Sequence, residues 1–115
     1  MARVVSSFFV GALVRRCHGE GAYATVARKG AAEAGAIFVV VDRLDGTCDL
    51  YAPAPQAMIE ETGPADRRFE KVLAGVPNEA VRDRIARETR FDPDLWVIEI
   101  EDRQGRAFLD LAAGS

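Results

Sequence analysis

The sequence predicts an α+β fold, a mainly antiparallel sheet of about five or six strands with two helices packed on it. Three observations carry that expectation. Two β-rich runs flank Asp45-Gly46, a dipeptide that tolerates the positive φ of a tight hairpin turn. Two stretches, one beginning near Phe8 and one over Asn78 to Thr89, repeat apolar residues at helical spacing. Regular β-α-β alternation is missing, which argues against a doubly wound parallel sheet.

In chain order, Ser6-Ser7 can cap a helix beginning near Phe8, because a serine oxygen accepts from first-turn amides that lack a partner. Phe9, Ala12, Leu13 and Arg16 recur at helical spacing, with Val10, Val14 and Cys17 beside them, and Gly19 and Gly21 end the run. Tyr23 to Arg28 reads as a short strand and Lys29 to Gly35 as a turn or loop. Ile37 to Val41 is apolar at every position, the pattern of a central strand covered on both sides. After the turn, Cys48 and Leu50 alternate with Thr47, Asp49 and Tyr51, so this partner is expected to have one wetter face.

Pro53 and Pro55 stop the ladder, since proline has no amide to donate. A short helix over Gln56 to Glu61, a break at Gly63-Pro64 and a strand over Arg68 to Leu73 are expected next. The second helix places Val81 and Ile85 one turn apart, and Phe91-Asp92-Pro93 ends it, because the residue before proline is pushed out of helical geometry. Leu95 to Glu101 is the cleanest strand, with Trp96, Ile98 and Ile100 on one face and Val97, Glu99 and Glu101 on the other. Gln104-Gly105 suits a tight turn and Ala107 to Leu111 a final strand.

The 115 residues fit one domain over residues 1–115, long enough to bury a core without disulfide or metal staples. With 49% hydrophobic and 29% charged residues, the composition is that of an ordinary globular chain. A net charge of −3 gives no overall attraction to nucleic acid or to an anionic membrane. The apolar stretch Phe8 to Val14 is at the short limit for a signal core, and the arginine pair follows it rather than preceding it. No stretch approaches the ~20 apolar residues of a membrane span. Two cysteines without signs of export point to the cytoplasm, with no membrane association.

Arg15-Arg16-Cys17 with Glu20-Gly21, Arg43-Leu44-Asp45-Gly46, the run from Tyr51 to Gln56 and the run from Arg90 to Trp96 together resemble an alphaproteobacterial family of small proteins catalogued as a domain of unknown function. The resemblance spans nearly the whole chain. It implies a bacterial cytoplasmic protein and carries no mechanism.

Several groups of residues are candidates for chemistry. Glu99 and Glu101 share a strand face roughly 7 Å apart, and with Asp49, or with Asp42, Asp45 or Asp102, they form a possible Mg²⁺ or Mn²⁺ site for phosphodiester cleavage. Alternating acids are equally the mark of a solvated sheet face. Cys17-His18 has the residue types of a nucleophile and base, but neighbouring helical residues do not face each other. For zinc, Cys17, His18 and Cys48 supply at most three ligands. Arg15, Arg16, Arg28 and Lys29, joined by Arg43, are a candidate nucleic-acid patch, although arginines in a last helical turn also serve the helix dipole.

Arg90, Asp92 and Asp94 lie in a helix-to-strand loop, where binding residues are often found. The loop from Pro53 to Arg68 is long for a compact domain and carries Met58 and Ile59. The reading that follows is a binding or accessory module with no catalytic residue, cofactor or metal of its own. Its partner is another protein, its surface is the Pro53–Arg68 loop with Arg90 to Asp94, and exposed edge strands leave a homodimer open.

Overall fold

The structure, a computed structural model, describes residues 5–55 and 67–112. Two helices and five strands follow in the order α1 (Ser6–Gly19), β1 (Tyr23–Arg28), β2 (Ile37–Asp42), β3 (Cys48–Pro53), β4 (Phe69–Val76), α2 (Asn78–Phe91) and β5 (Trp96–Glu101). The strands form one open sheet in the order β1-β5-β2-β3-β4. Three pairings are antiparallel, and β2 with β5 is parallel. The fold is α+β and mostly antiparallel, with β5 inserted between the first two strands.

The helices pack on opposite faces of this sheet. On one face Val10, Leu13 and Cys17 of α1 meet Val39, Val41, Trp96, Ile98 and Ile100. On the other, Val81 of α2 meets Phe38, Val40, Leu50 and Val97. This explains why Ile37 to Val41 is apolar throughout, since all five residues are buried between two layers. α2 lies over β3 and β4. Val81 also brings its edge against Val97, so the β1 side of the same face is the more open one.

Four expectations are corrected. Residues 107–111 form no strand; a lone bridge joins Leu111 to Phe69, and the Phe69 amide donates to Asp110 O at 3.0 Å. Ser6 and Ser7 lie inside α1, whose cap position is Val5 and has no side-chain cap. Ser6 is instead buried, its hydroxyl donating to Gly35 O at 2.6 Å and accepting from Arg67 Nη2 at 3.0 Å.

The face of β3 expected to be wet is dry: Asp49 is 1% exposed and Tyr51 4%. The hairpin is wider than a two-residue turn, closing through the Arg43 amide to Thr47 O at 3.1 Å, with positive φ at Leu44 and Gly46. Asp42 and Asp45 brace it, accepting from the amides of Leu44 at 2.8 Å and Thr47 at 3.0 Å. The expected helix over 56–61 and the break at Gly63-Pro64 lie outside the described residues. Among the described residues, no helix is long and apolar enough to cross a membrane.

Candidate functional site

The sheet register separates the candidate acids. Glu101 pairs with Asp42 and Glu99 with Val40 across the parallel β2–β5 ladder, so Glu99, Glu101 and Asp42 share the α2 face. Asp49 pairs with Val41, one position out of phase, and belongs to the opposite face. It is also fully engaged. Arg43 Nε and Nη2 donate to its Oδ2 at 3.1 and 2.8 Å, the Gly75 amide donates to Oδ1 at 2.8 Å, and Lys71 Nζ stands 3.9 Å from Oδ2. Arg43 is thereby a structural counter-ion. Among the described residues, no group of three or more His, Cys, Asp or Glu is placed to hold a metal ion.

Glu99 is only partly exposed. Burial, reinforced by the neighbouring carboxylates of Asp42 and Glu101, raises its pKa above the ordinary carboxylate value. A folded-state pKa above the unfolded one means that ionisation opposes folding once the pH passes the unfolded value, and protonation relieves it. Glu99→Gln is expected to raise the melting temperature at pH 7 and to leave it unchanged near pH ~3.5, where the side chain is protonated in both states. A melting curve at each pH checks this; equal shifts at both would contradict it.

The cysteines are apart as well. Cys17 belongs to the α1-side core and Cys48 to the α2-side core. Burial lifts the Cys17 thiol to about 11 and lifts Cys48 too, which removes thiolate reactivity at neutral pH. With native protein at pH ~8, a thiol reagent is expected to modify neither residue while the denatured chain reacts fully. His18 leaves Cys17 and turns to the edge strand, its Nε2 lying 3.1 Å from Ala24 O and 3.3 Å from Ala24 N, with its ring stacked on Tyr23.

The basic residues fall on two faces. Arg15 and Arg16 are exposed on α1, and Arg16 Nη1 donates to Phe108 O at 3.1 Å beside a hollow of about 140 Å³ lined by Phe8, Phe9 and Phe108. Arg28 lies on the α2 side, where its Nη2 donates to Pro93 O at 2.7 Å. One continuous strip through Arg15, Arg16, Arg28 and Lys29 is thus not formed. Arg28 is joined instead to the segment around Arg90.

That segment is built mainly by turn chemistry. The Asp92 amide donates to Glu88 O at 2.9 Å, and Asp92 Oδ1 accepts from the Asp94 amide at 3.1 Å, which stops the helix. Asp94 O accepts from the Ala31 amide at 2.9 Å, and Trp96 Nε1 donates to Ala31 O at 2.8 Å. Arg90 is exposed and lines a shallow concavity of about 280 Å³ with Asp83, Ala86 and Arg87. Next to it stands Phe91, 88% exposed. Phe91 was legible as an outlier, since it lies off the stripe of Val81 and Ile85 on a helical projection.

A second concavity, of about 260 Å³, runs between α2 and the β1–β5 side of the sheet. Arg28 of β1, Arg82 and Asn78 of α2 and Glu99 of β5 line it, above Val40 and Val97. Arg82 and Asn78 carried no local signal, because their relevance comes from where α2 is laid on the sheet.

The family model described as "Protein of unknown function (DUF1491)" matches residues 4–110. Among solved structures, the solution structure of protein Atu0922 from A. tumefaciens is 47% identical, with a TM-score of 0.83 over 95% of this chain and 94% of that one. The crystal structure of a DUF1491 family protein from Caulobacter crescentus CB15 is 39% identical, with a TM-score of 0.77 over 95% of this chain and 96% of that one. A comparison with curated proteins gave no match.

Proposed function

The chain belongs to the DUF1491 family of proteins of unknown function, and on that footing we propose that it is a non-catalytic, cytoplasmic module that binds another protein through the end of α2. The observation that carries this reading is Phe91, which is 88% exposed. An aromatic ring left in water beside Arg87 and Arg90 has the composition of an interface hot spot, in which aromatic and arginine side chains contribute most of the energy. Asp92 and Asp94 hold that end of the helix in place through the turn that precedes β5. Two free, buried thiols support a reducing compartment.

The partner this surface fits has an apolar pocket for the ring and acidic groups for Arg87 and Arg90. Metal-dependent phosphodiester cleavage has less support, because Asp49 is turned away from Glu99 and Glu101 and is already neutralised. Nucleic-acid binding has less support because Arg15 and Arg16 stand on α1 while Arg28 lies on the α2 side.

Crosslinking capture with the intact protein and with Phe91→Asp tests the reading. The expected outcome is at least one protein held by the former and lost from the variant, with equal melting temperatures. Identical captured sets, or hydrolysis of a phosphodiester with Mn²⁺ that Glu99→Gln abolishes, would overturn it.

A further inference from the structure

The groove between α2 and the β1–β5 part of the sheet shares no residue with the Phe91 surface. It has an unusual charge content for its size. Two guanidinium groups, Arg28 and Arg82, and one carboxylate, Glu99, line it. No ion pair joins Glu99 to either arginine among the described residues. Arg28 gives Nη2 to Pro93 O, while its Nε is buried and has no hydrogen-bond partner. A buried N–H without an acceptor costs free energy, and folded proteins leave few of them.

The register orders these charges. Arg28 stands opposite Val97 and Thr25 opposite Glu99. Cation and anion are therefore diagonal neighbours across β1 and β5 on one sheet face, roughly 7–8 Å apart. Val40 and Val97 form the apolar floor beneath them. At about 260 Å³ the groove lies below the size of a drug-binding pocket, which starts near ~300 Å³.

We propose that this groove binds a small zwitterion with an apolar body, of the class of aliphatic α-amino acids. The carboxylate takes the Arg28 and Arg82 guanidinium groups, planar donor forks that suit a carboxylate better than an ammonium group would. The ligand ammonium takes Glu99, whose acidic neighbours Asp42 and Glu101 add to the attraction for a cation. The aliphatic side chain covers Val40 and Val97. No bond is made or broken.

Amide chemical shifts of the full-length protein, titrated with L-leucine, L-serine, 4-methylpentanoate and isoamylamine, test the assignment. L-leucine is expected to give saturable shifts around Val97 to Glu99 and Val81 to Ile85. The other three are expected to bind at least tenfold more weakly, since each lacks one of the recognised features. Arg28→Gln and Glu99→Gln are each expected to weaken leucine at least tenfold. Should Arg28→Gln not fold, Arg82→Gln reads the same requirement from an exposed helix position. Absence of saturable shifts in the groove with leucine overturns the proposal. So does 4-methylpentanoate binding as tightly as leucine, which removes Glu99, or serine doing so, which removes the apolar floor.

Discussion

Replacing Gly30 with alanine is expected to lower the melting temperature by about 10 °C or more. A Cβ at Gly30 would collide with the Asp94 carbonyl oxygen and come within 2.6 Å of the Leu95 carbonyl carbon. Both obstacles are backbone, so no rotamer change relieves them. Overpacking of this kind costs about 3 kcal/mol at the upper end of its usual range, and a domain of this size loses roughly 4 °C per kcal/mol. The same contact holds the Ala31 amide on Asp94 O and the Trp96 indole on Ala31 O, so these bonds are strained together. Gly19→Ala is the control, because nothing lies within 4 Å of a Cβ there. Equal melting temperatures for the two variants would show that the loop over Asp94 yields easily.

Arg43→Met is expected to destabilise the protein by about 3 kcal/mol, since removing one partner leaves a buried carboxylate without its main counter-charge. Asp49 is 1% exposed and keeps only the Gly75 amide and the more distant Lys71. The companion change Asp49→Asn is expected to cost less, because Arg43 is one-third exposed and returns to water. Combining the two substitutions is expected to cost less than the sum of each alone, and chemical denaturation of the three variants reads the coupling directly. Strict additivity would mean that the pair contributes nothing as a pair.

Much of the local structure was legible in the residues. Tyr23–Arg28 was expected as a strand and is one, and the alternation of Trp96, Ile98 and Ile100 marked β5. What escaped was non-local. A parallel pairing has no turn to announce it, so nothing near Trp96 says that its neighbour is Ile37. The burial of Asp49 depends on Arg43 from the hairpin and Gly75 from β4, whereas alternation alone assigns a charged residue to water. Residues 107–111 have a strand's composition, but their one bridge to the sheet is at Phe69, while Ala107, Phe108 and Leu109 only pack against its core.

The candidate site divides in the same way. Arg90, Asp92 and Asp94 were found from loop composition, and the structure assigns the two aspartates to turn-making. Arg28, Arg82 and Glu99 share a groove only because α2 rests chiefly over β3 and β4 and leaves the β1 side of that face open. That placement is a property of the assembled layers, which single-residue patterns do not encode.

The position of β5 also dictates when the molecule can exist. It is the last strand in sequence and an interior one in space, so a ribosome that has released β1 and β2 has made two strands that do not yet touch. Ile37 must wait for Trp96 before the two halves of the sheet are joined. Until then, backbone edges that end in the middle of the finished sheet face the surrounding solution, where foreign strands can pair with them. During vectorial synthesis β1 is therefore expected to stay unpaired, and to resist protease only after residue 101 has left the exit tunnel.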